Sequence, residues 1–215
     1  MKLPLANKLK KRMQVEIGML QDELVDIIYE IENGTVMHGG TSIWRCYGGN
    51  RFSEDLDFYI QKKEEFEKIF LNKIKERGLK SLKFKKTDNL IFSKITNGTV
   101  EVRVEFNFSA KKSGDAKNYE KMDGSTAIIL SLTPEQLLLE KIDAYRNRKF
   151  IRDVYDIFHL SNIVERSDEL RDRILELLGE MPEPVDEQNL ETILYSGAIP
   201  SFKQMVSELK RMWSK

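Results

Sequence analysis

The sequence predicts an α+β protein with a mixed α/β half to about residue 131 and an all-helical half over 132–215. Three observations carry this reading. Residues 54–60 and 99–108 alternate apolar and polar side chains at the period of a half-buried strand. Residues 8–32 place Val15, Met19, Leu20, Leu24, Ile27, Ile28 and Ile31 on a broad helical stripe. From Thr133 the strand and turn signals give way to helical ones. They open on Thr133-Pro134-Glu135-Gln136, a capping-box pattern with proline at the first helical position.

Taken in order, Asn33-Gly34 ends the first helix and residues 35–38 form a short strand. After Gly39-Gly40, residues 41–47 suit a short helix. In the strand 54–60, Leu56, Phe58 and Ile60 point one way and Asp55, Asp57 and Tyr59 the other. A charged helix over 62–77 precedes strands at about 81–87 and 89–96. Asn97-Gly98 signals a two-residue hairpin turn into 99–108. Residues 109–124 are polar and read as a loop, and 126–131 as a short apolar strand. Helices are expected at about 134–148, 151–164, 167–180, 186–195 and 201–213. The break has no flexible linker, so residues 1–131, with the N-terminal helix, form the α/β core and 132–215 a helical domain expected to pack on it.

The chain has 215 residues, long enough for a sizeable core, with 40% hydrophobic and 33% charged residues. Thirty-five basic and 35 acidic side chains cancel, so there is no overall electrostatic drive toward nucleic acid. The distribution is uneven: residues 61–86 hold ten Lys/Arg against four Asp/Glu, and 141–152 hold five against one. Such local basic surfaces attract phosphates, although solvated helix and strand faces have the same composition. No apolar run suggests a membrane span or signal peptide, and Cys46 has no disulfide partner. A cytoplasmic protein is expected.

The chemistry concentrates in residues 38–60, HGGTSIWRCYGGNRFSEDLDFYI. Asp55 and Asp57 lie two apart on a strand, so both carboxylates face one side and offer the hard oxygen ligands that Mg2+ prefers. A third acid would help to hold a second ion. The strand 99–108 offers Glu101 or Glu105. Gly39-Gly40 lies at a strand-to-helix junction, where backbone N–H groups and the positive helix end can receive a triphosphate. Thr41 and Ser42 add hydroxyl donors. Further on, Lys141 and Tyr145 share a helix face, and Arg152, Asp153 and Asp156 open the next helix. Lys141 is placed to reach a phosphate, and Asp153 to orient that lysine or an attacking hydroxyl. A salt-bridge network between packed helices would use the same residues.

His38-Gly39-Gly40-Thr41-Ser42, followed by Arg51-Phe52-Ser53-Glu54-Asp55-Leu56-Asp57-Phe58, resembles the nucleotidyltransferase superfamily related to DNA polymerase β. The Arg-x-Ser-x-Asp-x-Asp-Phe form is specifically similar to the AbiEii/AbiGii toxins of type IV toxin–antitoxin systems. Fourteen residues separate Gly40 from Asp55, slightly more than the usual superfamily spacer, and His38 replaces an apolar residue. Lys141-Ile142-Asp143-Ala144-Tyr145-Arg146 and Arg152-Asp153-Val154-Tyr155-Asp156 are similar to that family's later motifs, Lys-x-x-Ala-x-x-x-Arg and Arg-Asp-x-x-Asp.

The resemblance implies a polymerase β-like core, a small mixed sheet with flanking helices, followed by the helical half. It implies a metal-dependent transfer of a nucleoside monophosphate from an NTP to RNA, at the 3′ end of tRNA, with an antitoxin as partner. Asp55, Asp57 and Glu105 would hold two Mg2+, or Mn2+. Glu105 is chosen over Glu101 because the superfamily's third acid sits in mid-strand. Gly39, Gly40, Thr41, Ser42, Arg51, Ser53 and Lys141 would bind the nucleotide, and Asp153 would join the catalytic set. Arg51 has an alternative as the structural partner of Glu54 or Asp57, and His38, His159, Trp44, Tyr47 and Phe52 are expected to be structural. The rival readings are adenylylation of a small molecule or protein side chain, and a nucleotide-binding or interaction module without activity.

Overall fold

Alternating valine, phenylalanine and leucine build the middle of a seven-stranded mixed sheet in a computed structural model that describes residues 3–61, 65–108 and 112–214. The chain divides into two units, Met1–Cys46 with Phe52–Leu132, and Tyr47–Arg51 with Thr133–Lys215. In the first unit β1 (Val36–His38) and β2 (Leu56–Tyr59) run antiparallel at the centre. The remaining strands are β3 (Lys80–Lys86), β4 (Leu90–Thr96), β5 (Glu101–Asn107), β6 (Asp115–Glu120) and β7 (Thr126–Ser131). Their order is β3-β4-β5-β2-β1-β7-β6, with parallel pairing at β2–β5 and β1–β7.

One face of this sheet is the core. Leu56 and Phe58 of β2 and Val104 and Phe106 of β5 are fully buried. Phe58 and Phe106 stack with centroids 5.7 Å apart, and Phe66 and Phe70 of α3 (Phe66–Glu76) meet Phe106 edge-on. Burying one such aromatic side chain stabilises the fold by about 1.5–3 kcal/mol. The period of two then turns Asp57, Arg103 and Glu105 to the other face. Helix α1 (Arg12–Ile31) buries Leu20, Leu24, Ile27 and Ile28, as its periodicity predicts. Met19 instead faces solvent, because the buried stripe runs through Ile17, Gly18 and Gln21. Helix α2 (Gly39–Cys46) sends Arg45 inward to Asp22 at 3.2 Å and over the Trp44 ring at 4.1 Å, which anchors it.

Two local expectations are corrected. The segment read as a loop over 109–124 contains β6, whose Asp, Lys and Asn residues are poor strand formers. It forms because it is an edge strand that pairs along the whole of β7 and buries Tyr119. The Asn97-Gly98 turn has four residues, since the ladder resumes at Thr96 opposite Glu101. Asn97 Oδ1 accepts from the N–H groups of Thr99 and Val100, and Gly98 takes φ +95°. The ends of the predicted helix (62–64) and loop (109–111) lie outside the described residues.

The second unit contains α4 (Pro134–Arg148), α5 (Ile151–Leu160), α6 (Asp168–Gly179), α7 (Leu190–Ile193) and α8 (Phe202–Trp213). Thr133 and Gln136 close the expected capping box on α4, and Ser201 and Gln204 close another on α8. The helix expected at 186–195 is only a 3-10 turn, Glu187–Asn189, followed by the single turn α7. Its ends are drawn into other bonds: Asp186 accepts from the Ile151 N–H at 2.7 Å, and Tyr195 N–H donates to Asn50 at 3.2 Å. Among the described residues, no helix is long and apolar enough to cross a membrane.

Candidate active site

The β1–α2 turn fixes one side of the site. Gly39 takes φ +74°, in the left-handed region that L side chains rarely adopt. A Cβ placed there would also fall on Asp57 Oδ2, so the Gly39 backbone lies directly against that carboxylate. The sheet register places His38, Asp57 and Glu105 in one row across β1, β2 and β5. Directly paired residues share a face of the sheet, so Asp57 and Glu105 are immediate neighbours. The His38 ring stacks on Tyr59 with centroids 4.0 Å apart.

Asp55 lies just before β2, and its carboxylate is gripped by Arg103. The guanidinium donates from Nε to one oxygen and from Nη2 to the other, both at 2.7 Å. The Asp55 carbonyl accepts from the Thr41 hydroxyl, and Ser42 Oγ pairs with Ser131 Oγ at 2.6 Å. Both hydroxyls are therefore committed inside the first unit, where they tie α2 to the sheet. Ser53 is half-buried, and its carbonyl accepts from Gln21 Nε2 at 2.9 Å. Glu101 pairs with Lys94 near the turn. Glu105 is held above the usual carboxylate range by partial burial and then by the charges of Asp57 and Asp55. His38 and Arg103 oppose that shift.

The second unit gathers a separate cluster of buried charge. Arg51 is 5% exposed and forms a two-bond fork on Asp156, with both distances 2.7 Å. Lys141 Nζ lies 2.8 Å from Asp156 and 3.6 Å from Asp153. Arg148 makes another fork on Asp153, at 2.7 Å for each bond. Burial pushes the Asp156 carboxyl up, but Arg51 and Lys141 outweigh it and hold it at about 2. Arg51 and Lys141 thus meet on Asp156, and Lys141 and Arg148 on Asp153, so three cations and two carboxylates are gathered in one buried cluster. The partner of Arg51 is Asp156, a pairing the sequence reading did not offer. His159 Nε2 lies 2.9 Å from the Tyr47 carbonyl, while Trp44 and Phe52 pack edge-on in the core of the first unit.

Sequence reasoning did not single out Arg103 or Arg148. Arg103 had a signal, since it lies two residues before Glu105 on an alternating strand and so shares its face. Arg148 fills the last place of the Lys-x-x-Ala-x-x-x-Arg pattern.

The fit to a divalent cation is partial as the side chains stand. Among the described residues, no group of three His, Cys, Asp or Glu is gathered closely enough to hold a metal. The donor chemistry nonetheless suits one. Asp57 and Glu105 set two carboxylates on neighbouring strands with Asp55 just before β2, and partial burial, then the charges of Asp57 and Asp55, raises Glu105. Asp57 and Glu105 are paired across β2 and β5, while both Asp55 oxygens accept from Arg103.

The mixed sheet with flanking helices is the polymerase β-like nucleotidyltransferase fold expected from the sequence. The model of the family described as "Nucleotidyl transferase AbiEii toxin, Type IV TA system" matches residues 24–209, and the chain belongs to this family. Membership makes it a toxin nucleotidyltransferase and implies an NTP substrate and an antitoxin partner. Solved structures share the fold. JHP933 from Helicobacter pylori is 20% identical, with a TM-score of 0.65 over 92% of this chain and 90% of that one. MenT4, a nucleotidyltransferase toxin from Mycobacterium tuberculosis H37Rv, is 17% identical, with a TM-score of 0.61 over 93% and 82%. No curated protein matches the sequence at a significant level.

Proposed function

We propose that the protein moves a nucleoside monophosphate from an NTP to a hydroxyl of an RNA acceptor, at the 3′ end of tRNA, and releases pyrophosphate. The observation that carries this reading is the Asp57–Glu105 pair, with Asp55 two residues earlier, set against the Gly39 backbone. Glycine there lets backbone N–H groups approach phosphate oxygens, and the α2 N-terminus favours their charge. Ser53 lies two residues before Asp55, within the same loop.

Asp57 and Glu105, with Asp55 once released, are the donors for Mg2+ or Mn2+. When bound, such an ion neutralises phosphate charge and acidifies the attacking hydroxyl. The chain's own part is positioning: the rigid strands hold the carboxylates, and the glycine turn holds the phosphates in line. In the helical unit we assign Lys141 to a phosphate and Asp153 to the orientation of that lysine, with Arg51 and Arg148 supporting both aspartates. The position of Lys141 beside both aspartates supports this assignment.

The test is incubation with each labelled NTP, Mg2+ and total cellular RNA, with Asp55→Ala as the control. A labelled band of tRNA size that is absent with the variant is expected. Labelling of protein or of a small molecule alone would overturn the RNA acceptor. Transfer by Asp57→Ala at the wild-type rate would overturn the mechanism.

A further inference from the structure

The row of side chains that contains Asp57 and Glu105 continues outward along the sheet. Glu105 on β5 is paired directly with Phe92 on β4, and Phe92 with Lys85 on β3. Paired residues share a face, so Phe92 and Lys85 lie on the acidic side and not on the core side. Neighbouring strands are about 4.8 Å apart, which puts Phe92 about one strand and Lys85 about two strands from Glu105. Lys83 opposes Lys94 in the next pair on this face, and its Nζ lies 5.7 Å from the centroid of Phe92.

Charge divides this face in two. Arg103 is engaged by Asp55, and Lys94 by Glu101, so their charges are neutralised locally. Lys83 and Lys85 are exposed and have no carboxylate partner among the described residues. Phe92 is half-exposed beside them. Lysines alone on an edge strand commonly guard against edge-to-edge pairing. That role does not account for an aromatic ring held between two unpaired lysines and an acidic pair. The combination matches what a single-stranded nucleic acid needs, with cations for the phosphates and a ring face for a base.

We propose that the outer face of β3 and β4 docks the single-stranded end of the RNA acceptor. Phe92 stacks on a base near the terminus, and Lys83 and Lys85 hold the phosphates that precede it. This inference rests on the proposed transfer to RNA, and it gives the acceptor a path that leaves the acids toward the sheet edge. A nucleotide whose terminal hydroxyl lies at Asp57 and Glu105 has its base within reach of Phe92, one strand away.

The test uses the full chain and a fluorescein-labelled single-stranded RNA oligonucleotide, with anisotropy read across a salt series. Lys83→Glu/Lys85→Glu should weaken binding about tenfold or more and lower the slope of log K against log salt by about 1.4, the loss of two single-strand phosphate contacts. Phe92→Ala should weaken binding about 5- to 150-fold with the slope unchanged, as expected for lost stacking. The lysine variant lies on an exposed edge and should melt at the wild-type temperature, which separates docking from folding. Wild-type affinity and slope in the lysine variant overturn the proposal, as does a wild-type chain that binds no oligonucleotide. Binding that depends on these residues in a chain that transfers nothing supports the surface and sinks the proposed reaction. Transfer to RNA with an unchanged KM for RNA in the lysine variant sinks the surface alone.

Discussion

Arg103 holds both carboxylate oxygens of Asp55, through Nε and Nη2 at 2.7 Å each, on the strand that carries Glu105 two residues later. Under the proposed reaction, the guanidinium therefore stands where a cation would meet the first of the three acids. Arg103 is 52% and Asp55 28% exposed, so the pair is worth only about 0–1 kcal/mol and can open readily. Arg103→Ala removes the competitor that occupies both Asp55 oxygens. We expect Mn2+, followed by electron paramagnetic resonance, to bind that variant up to about fivefold more tightly, the factor equivalent to that energy. Weaker Mn2+ binding in the variant would show that Arg103 preorganises Asp55 for the ion.

Gly39 is constrained twice, by φ +74° and by the contact that a Cβ would make with Asp57. Gly39→Ala should cost about 1–3 kcal/mol of stability, read by denaturant melts, because the left-handed conformation is strained for alanine. Transfer should fall much further than stability, since the added methyl displaces Asp57. A variant with wild-type kcat would detach this turn from the chemistry.

These two relationships mark the border of what the sequence discloses. Alternation on β2 and β5 was enough to separate Leu56, Phe58, Val104 and Phe106 from Asp57, Arg103 and Glu105, because one buried face dictates the other. The glycine at the β1–α2 junction was legible from residue type, and the capping box opened α4 where expected. The Asp55–Arg103 fork spans 48 residues, and the Arg51–Asp156 fork spans 105. No local pattern encodes pairings of that reach. Strand β6 was missed for a related reason, since its stability comes from β7 and not from its own residues.

Glu105 has its carboxyl raised by burial and by Asp57 and Asp55, so its charged form destabilises the fold in the absence of a cation. Stability should decline as pH rises from the unfolded glutamate value through the raised folded one, and stay lower above it. Glu105→Gln removes that charge. The variant should melt at a higher temperature than wild type at pH 7 without metal, with the gap closing at acidic pH, while transfer is lost. A lower melting temperature at pH 7 would argue that Glu105 is held by favourable bonds.

Asp156 presents the opposite sign. Arg51 and Lys141 hold its carboxyl at about 2 against an ordinary 3.8, even though burial works the other way. Its ionised form therefore contributes stability that is fully present above about pH 4 and is lost as pH falls through about 2. By linkage that contribution amounts to about 2 kcal/mol. Asp156→Ala goes further, because it removes the buried carboxylate that Arg51 and Lys141 both bind, and should cost about 3–5 kcal/mol. Asp156→Asn keeps the shape and one acceptor oxygen for Arg51, so it should lose less, and its stability should no longer fall in the acid window. Urea melts of the three proteins between pH 2 and pH 7 check this directly. If wild type and Asp156→Asn lose stability in parallel as the pH drops, the acid sensitivity belongs to other carboxylates and the buried fork is not its source.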